Sequence, residues 1–158
     1  MMSLGLALAI FGAAIAAGLA GIGSAKGVQI SGEAAAGVVA ERSEMFGKML
    51  VLQALPGTQG IYGFLTAVLI MVQVGILGGT PLDLSLYQGM AFLAAGFPIG
   101  IVGLLSGIAQ GKAAAASIHM TAKDETAFAK GITITAIVET YAILALLVSI
   151  LLIFSIQL

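Results

Sequence analysis

"GITITAIVETYAILALLVSILLIFSIQL" (Gly131–Leu158) holds one charged side chain, Glu139, in a run longer than the roughly 20 apolar residues that a membrane-spanning helix needs. Working back from it, Leu84–Gly111, Met49–Leu82 and Met1–Ala25 hold no charged residue at all. Each of these runs is also long enough to span. Of the 158 residues, 60% are hydrophobic and 8% charged, whereas an ordinary soluble domain carries roughly a quarter charged residues. A soluble globule is excluded, because so few charges cannot coat a surface that faces water.

Gly78-Gly79-Thr80-Pro81 breaks the middle of the chain, and Glu41-Arg42-Ser43-Glu44 and Lys123-Asp124-Glu125 mark two polar turns. The pattern predicts an all-α membrane protein with four helices near 3–39, 46–77, 85–121 and 126–156. The first and third are longer than a bilayer is thick, so both hairpins are expected to project beyond the headgroups. The first run lacks the positive start of a cleaved signal peptide, Lys26 coming only after the apolar stretch, and is expected to remain as a span.

All six basic residues fall around the two polar turns: Lys26, Arg42 and Lys48 near the first, Lys112, Lys123 and Lys130 near the second. The positive-inside rule places both turns in the cytoplasm, with the termini and the Asp83 loop outside. With no Cys there is neither a disulfide framework nor a thiolate metal site, and with net charge -1 and no basic tract there is no footprint for nucleic acid. Gly47-Lys48 and Gly111-Lys112 lack the upstream Gly and the following Ser or Thr of a phosphate-cradling loop. His119, near the cytoplasmic end of the third helix, reads as an interfacial residue.

The chain repeats itself. "GIGSAK" (Gly21–Lys26) recurs as "GIAQGK" (Gly107–Lys112), and Phe46 and Lys48 recur as Phe128 and Lys130. Two helices per unit make this a parallel duplication of one hairpin, with residues 1–80 as the first copy and 81–158 as the second. On the register of the second helix in each copy, Glu139 corresponds to Gly57, so the carboxylate exists once. Small residues line one face of the first helix (Gly5, Ala9, Gly12, Ala16) and of the third (Gly96, Gly100, Gly103, Gly107, Gly111). Such stripes let backbones approach closely in lipid, and two of them on alternating helices point to a crowded inner circle of many identical copies.

An ionised Glu139 at mid-membrane costs roughly 2.5–3.5 kcal/mol on insertion scales and therefore needs partners. A hairpin turning at 124–125 puts Gln110 level with Glu139, about 21 Å from the turn at 1.5 Å per residue. A turn at 41–42 puts Ser24 level with Gln59. Leu55, Thr58, Gln59 and Tyr62 share one face of the second helix, a compact polar patch in an apolar segment. One carboxylate, two amide oxygens and two hydroxyls form an oxygen-only set that suits a hard cation. A proton carrier needs little beyond the carboxyl, so the extra oxygens favour dehydrated Na⁺ over H⁺. Hydrogen bonding across helices is the structural alternative for each residue taken alone. A stand-alone transporter alternating access around Glu139 would need water-lined half-channels, yet polar residues are nearly confined to this patch.

"LPGTQGIYGF" (Leu55–Phe64), "SGIAQGK" (Ser106–Lys112) and "VETYAIL" (Val138–Leu144), set in a duplicated hairpin, closely resemble the proteolipid K (c-type) rotor-ring subunits of bacterial V-type sodium-transporting ATPases. The resemblance covers essentially the whole chain. It implies a homo-oligomeric ring in the cell membrane, turned through a central stalk by an ATP-hydrolysing cytoplasmic head, each copy carrying a cation past a stator subunit with a basic residue. It also implies Na⁺ held by the Glu139 carboxylate, side-chain oxygens of Thr58, Gln59 and Gln110, and the main-chain carbonyl of Leu55. Tyr62 would hydrogen-bond Glu139 rather than touch the ion.

Overall fold

In the computed structural model, which describes residues 2–158, the four spans form with two interruptions. The first is the unbroken helix α1 (Leu4–Glu41). The second comprises α2 (Phe46–Ala54) and α3 (Thr58–Gln73), joined by a short 3-10 turn over Leu55–Gly57. The third is α4 (Leu86–Lys123), and the fourth comprises α5 (Phe128–Ile137) and α6 (Glu139–Ser155), interrupted at Val138. The 38-residue α1 and α4 are about 57 Å long at 1.5 Å per residue, well beyond a hydrocarbon core of about 30 Å.

Side-chain caps define both long helices. Ser3 Oγ accepts the Leu6 N–H at 3.2 Å. At α4, Ser85 Oγ accepts the Gln88 N–H at 3.2 Å while Gln88 Oε1 accepts the Ser85 N–H at 2.9 Å, the reciprocal box that satisfies two orphan donors. The second span ends at Gln73 rather than near Leu77, because the chain turns earlier than the Gly78-Gly79 pair predicts. Gly75 adopts φ +78°, a left-handed conformation, and its carbonyl accepts the Thr80 N–H at 3.1 Å.

The small-residue stripes pack against each other inside one chain. Gly5 lies against Gly89, Gly12 against Gly96, Gly23 against Gly107 and Gly27 against Gly111. The offset is 84 residues at every pair, so α1 and α4 run parallel and in register along most of their length. The stripes are therefore accounted for by the α1–α4 seam within the chain, and do not by themselves require contacts between copies. Around Gly18 and Gly21 on α1, by contrast, no atom of the described residues beyond the helix's own backbone lies within 4 Å of where a Cβ would stand. On the flank of this pair, α3 packs on α1 through Gly63 at Ala16 and Ala20, while α6 meets α4 where Ser149 Oγ accepts the Ile99 N–H at 3.3 Å. Large apolar side chains such as Ile61, Phe64, Leu144 and Phe154 point outward, more than half exposed, as a lipid-facing surface requires.

At the end with the two polar turns, Arg42 fastens one hairpin to the other. Its Nη1 donates to the Ala122 carbonyl at 2.8 Å and its Nη2 pairs with Glu125, which also takes Lys48 Nζ at 2.7 Å. The hydrogen bond from Lys48, then the Arg42 guanidinium, holds the Glu125 carboxyl below its ordinary value of 4.5. The group is exposed, so this clip contributes little to stability and serves mainly to set the relative position of the turns.

Candidate ion-binding site

Pro56 has no N–H to give to the carbonyl four residues back, and the second span tightens around it into the 3-10 turn. That turn brings the Leu55 carbonyl to the start of α3, where it accepts both the backbone N–H and, at 3.1 Å, the hydroxyl of Thr58. Gln59, next along, is fully buried and directs its amide nitrogen onto Gln110 Oε1 of α4, leaving its own oxygen 3.5 Å from the Thr58 hydroxyl. Gln110 is also fully buried, and its Nε2 donates to the Thr135 carbonyl of α5 at 3.2 Å. One turn beyond Gln59, the Tyr62 hydroxyl donates to the Glu139 carboxylate at the first residue of α6.

The structure thus brings the expected residues into two neighbouring clusters. Leu55, Thr58, Gln59 and Gln110 form one, Tyr62 and Glu139 the other, with Gln59 and Tyr62 three residues apart on the same face of α3. Ser24, expected level with Gln59, accepts the Gly60 N–H at 2.7 Å and so lies just outside the polar set. Thr135, which no sequence pattern singles out, enters through its main-chain carbonyl. Residue types do not announce a carbonyl, so only the fold reveals it.

The half-buried Glu139 has no cationic partner: the three ion pairs among the described residues all lie in the polar turns. Nor do the described residues hold any group of three or more His, Cys, Asp or Glu side chains suited to a resident metal. What the two clusters offer together is one carboxyl group and several neutral oxygens, a donor set of the kind that hard cations take. A divalent ion would leave uncompensated charge in lipid, and a soft metal would find no nitrogen or sulfur ligand.

Comparison with known proteins agrees in sequence and in repeat. The family model for the C subunit of ATP synthase matches twice, over residues 11–70 and 93–152. The chain is 50% identical to the V-type sodium ATPase subunit K of Enterococcus hirae, across 94% of this chain and 92% of that protein. It is 44% identical to the A-type ATP synthase subunit K of Methanocaldococcus jannaschii, covering 94% of this chain and 64% of that one. It is 31% identical to the 16 kDa proteolipid of the V-type proton ATPase of Homo sapiens, over 91% and 89% of the two chains.

Proposed function

This chain belongs to the family of ATP synthase C subunits, and from that premise we propose that it is the membrane rotor-ring subunit of a V-type rotary ATPase, carrying Na⁺ on Glu139. It catalyses nothing itself; ATP is hydrolysed in other subunits. The observation that carries the reading is a half-buried carboxylate, paired with no cation among the described residues, that takes the Tyr62 hydroxyl one turn along α3 from Gln59, whose fully buried amide bonds that of Gln110. Na⁺ would be held by Glu139, by side-chain oxygens of Thr58, Gln59 and Gln110, and by the Leu55 carbonyl, with Tyr62 fixing the carboxylate.

The physics of rotation follows from charge. A Glu139–Na⁺ pair is neutral and can face lipid, whereas a bare carboxylate cannot do so cheaply. Occupied copies therefore travel through the bilayer while an emptied one stays beside a basic residue of the stator. Identical copies complete the ring, each made of two hairpins, residues 1–80 and 81–158. A central-stalk subunit meets the cytoplasmic turns and transmits the drive, because moving one charge against 100 mV costs about 2.3 kcal/mol and nothing in this chain supplies it.

Carbodiimides attack the neutral carboxyl, so Na⁺ bound at Glu139 should slow its labelling, K⁺ should not, and protection should weaken as pH falls because H⁺ occupies the same group. Labelling indifferent to Na⁺ from about pH 6 to 9 would instead assign a proton ring, the activity named for the human relative. Orientation has its own test, resting on the placement of the six basic residues. Cysteines introduced at Ser43 or Thr126 should react with impermeant reagents only from the cytoplasmic side, and one at Thr80 only from outside; the reverse pattern inverts the topology.

A further inference from the structure

The fourth span is interrupted at Val138 without a proline or a glycine. The second span carries its interruption at the equivalent register, 82 residues earlier, and there Pro56 explains it. At Val138 the local geometry changes: the Val138 N–H closes onto the Thr135 carbonyl at 3.3 Å, three residues back instead of four. The same carbonyl accepts Gln110 Nε2 at 3.2 Å. Thr135 is fully buried and firmly seated, its hydroxyl donating to the Gly131 carbonyl at 2.9 Å and lying 3.1 Å from Ser117 Oγ.

A side-chain amide has an acceptor end and a donor end, exchanged by a half-turn about its last bond. Only the acceptor end serves a cation. With its nitrogen on the Thr135 carbonyl, Gln110 must turn its oxygen into the site. That oxygen in turn takes the Gln59 nitrogen, which directs the Gln59 oxygen toward Thr58. We propose that the main-chain carbonyl of Thr135, presented by the break at Val138, is the positioning group that sets the polarity of both amides and so tunes the site to a metal cation rather than a proton. The inference rests on the cation reading above. A flipped Gln110 would aim its N–H groups at the ion and oppose its own carbonyl oxygen to that of Thr135. A proton, needing only the Glu139 carboxyl, is indifferent to either arrangement.

An ester replacing the Thr135–Ala136 peptide bond weakens that carbonyl as an acceptor while keeping every side chain. In the assembled ring in membranes, the Na⁺ concentration that half-protects Glu139 from carbodiimide should rise about tenfold, with the labelling rate in the absence of Na⁺ unchanged. The same ester at the Leu147–Val148 bond of α6, away from the site, should leave both within about twofold and so controls for the loss of one N–H. Equal half-protection for the two esters overturns the proposal. A second measurement needs no variant: solid-state NMR of the Na⁺-loaded, unmodified ring should show through-space coupling between ¹⁵N in the Gln110 side chain and ¹³C at the Thr135 carbonyl. Absence of that coupling while Na⁺ protects the wild type overturns the positioning role alone. A wild type that Na⁺ does not protect overturns the cation reading and this inference with it.

Discussion

Glu139→Gln should reduce carbodiimide labelling to background and abolish transport, while the ring still assembles. The substitution keeps the shape of the side chain and an oxygen able to accept the Tyr62 hydroxyl, so the contacts that seat α6 survive. What disappears is the charge. A neutral amide binding Na⁺ yields a cationic complex, and carrying a net charge at mid-membrane costs at least about 2.5–3.5 kcal/mol on insertion scales. In the proposed mechanism, an occupied site could not leave the stator for lipid, and an empty one would no longer be drawn to a basic residue there. Both halves of the cycle fail together. The measurements are labelling, ²²Na⁺ uptake into vesicles and native mass spectrometry of the purified ring. Transport near the wild-type rate in Glu139→Gln would remove Glu139 from the mechanism. Tyr62→Phe provides the graded comparison, since it removes one hydrogen bond and leaves the carboxylate able to bind.

The spans are legible in the sequence because lipid is an exacting solvent: a charge-free run of sufficient length has few alternatives to a helix. Levels are legible to within about a turn: Gln110, counted level with Glu139, bonds the carbonyl of Thr135, four residues before it. Counting from the turns pairs Ser24 with the start of α3, and the hydroxyl indeed meets Gly60, one residue from Gln59. Two features lie beyond such counting. A stripe of glycines says that some backbone comes close, but not whose, and the partner is the other stripe of the same chain. The interruption at Val138 has no local cause in a stretch of Ile, Thr, Ala and Val. It coincides with a tertiary hydrogen bond from Gln110, which no local pattern of residue types encodes.

That glycine seam carries the other large effect. Gly12→Val should prevent the chain from forming a stable folded ring, whereas Gly18→Ala, on the same helix, should leave the packing of the single chain intact. A Cβ at Gly12 would stand 2.6 Å from the Phe92 carbonyl oxygen and 2.8 Å from Leu93 Cα, both main-chain atoms of α4 that cannot step aside as a flexible side chain can. Relief requires α1 and α4 to part, and the constant register means that parting them at one pair strains the neighbouring pairs at Gly5 and Gly23 too. Overpacking of an ordinary core costs about 1–3 kcal/mol; a clash of backbone against a β-branched side chain in a rigid parallel pair should exceed that. The gain in helix propensity from replacing Gly, about 1 kcal/mol at most, cannot offset it. At Gly18, apart from the helix's own backbone, no atom of the described residues lies within 4 Å of the added carbon, so only the propensity gain applies within the chain. Recovery of folded protein in mild detergent and its thermal unfolding temperature decide the matter. If Gly12→Val is recovered as a ring with unchanged unfolding temperature, the close approach of α1 and α4 is wrong. If Gly18→Ala leaves the chain folded but yields only dissociated copies, Gly18 marks where the next copy of the ring packs.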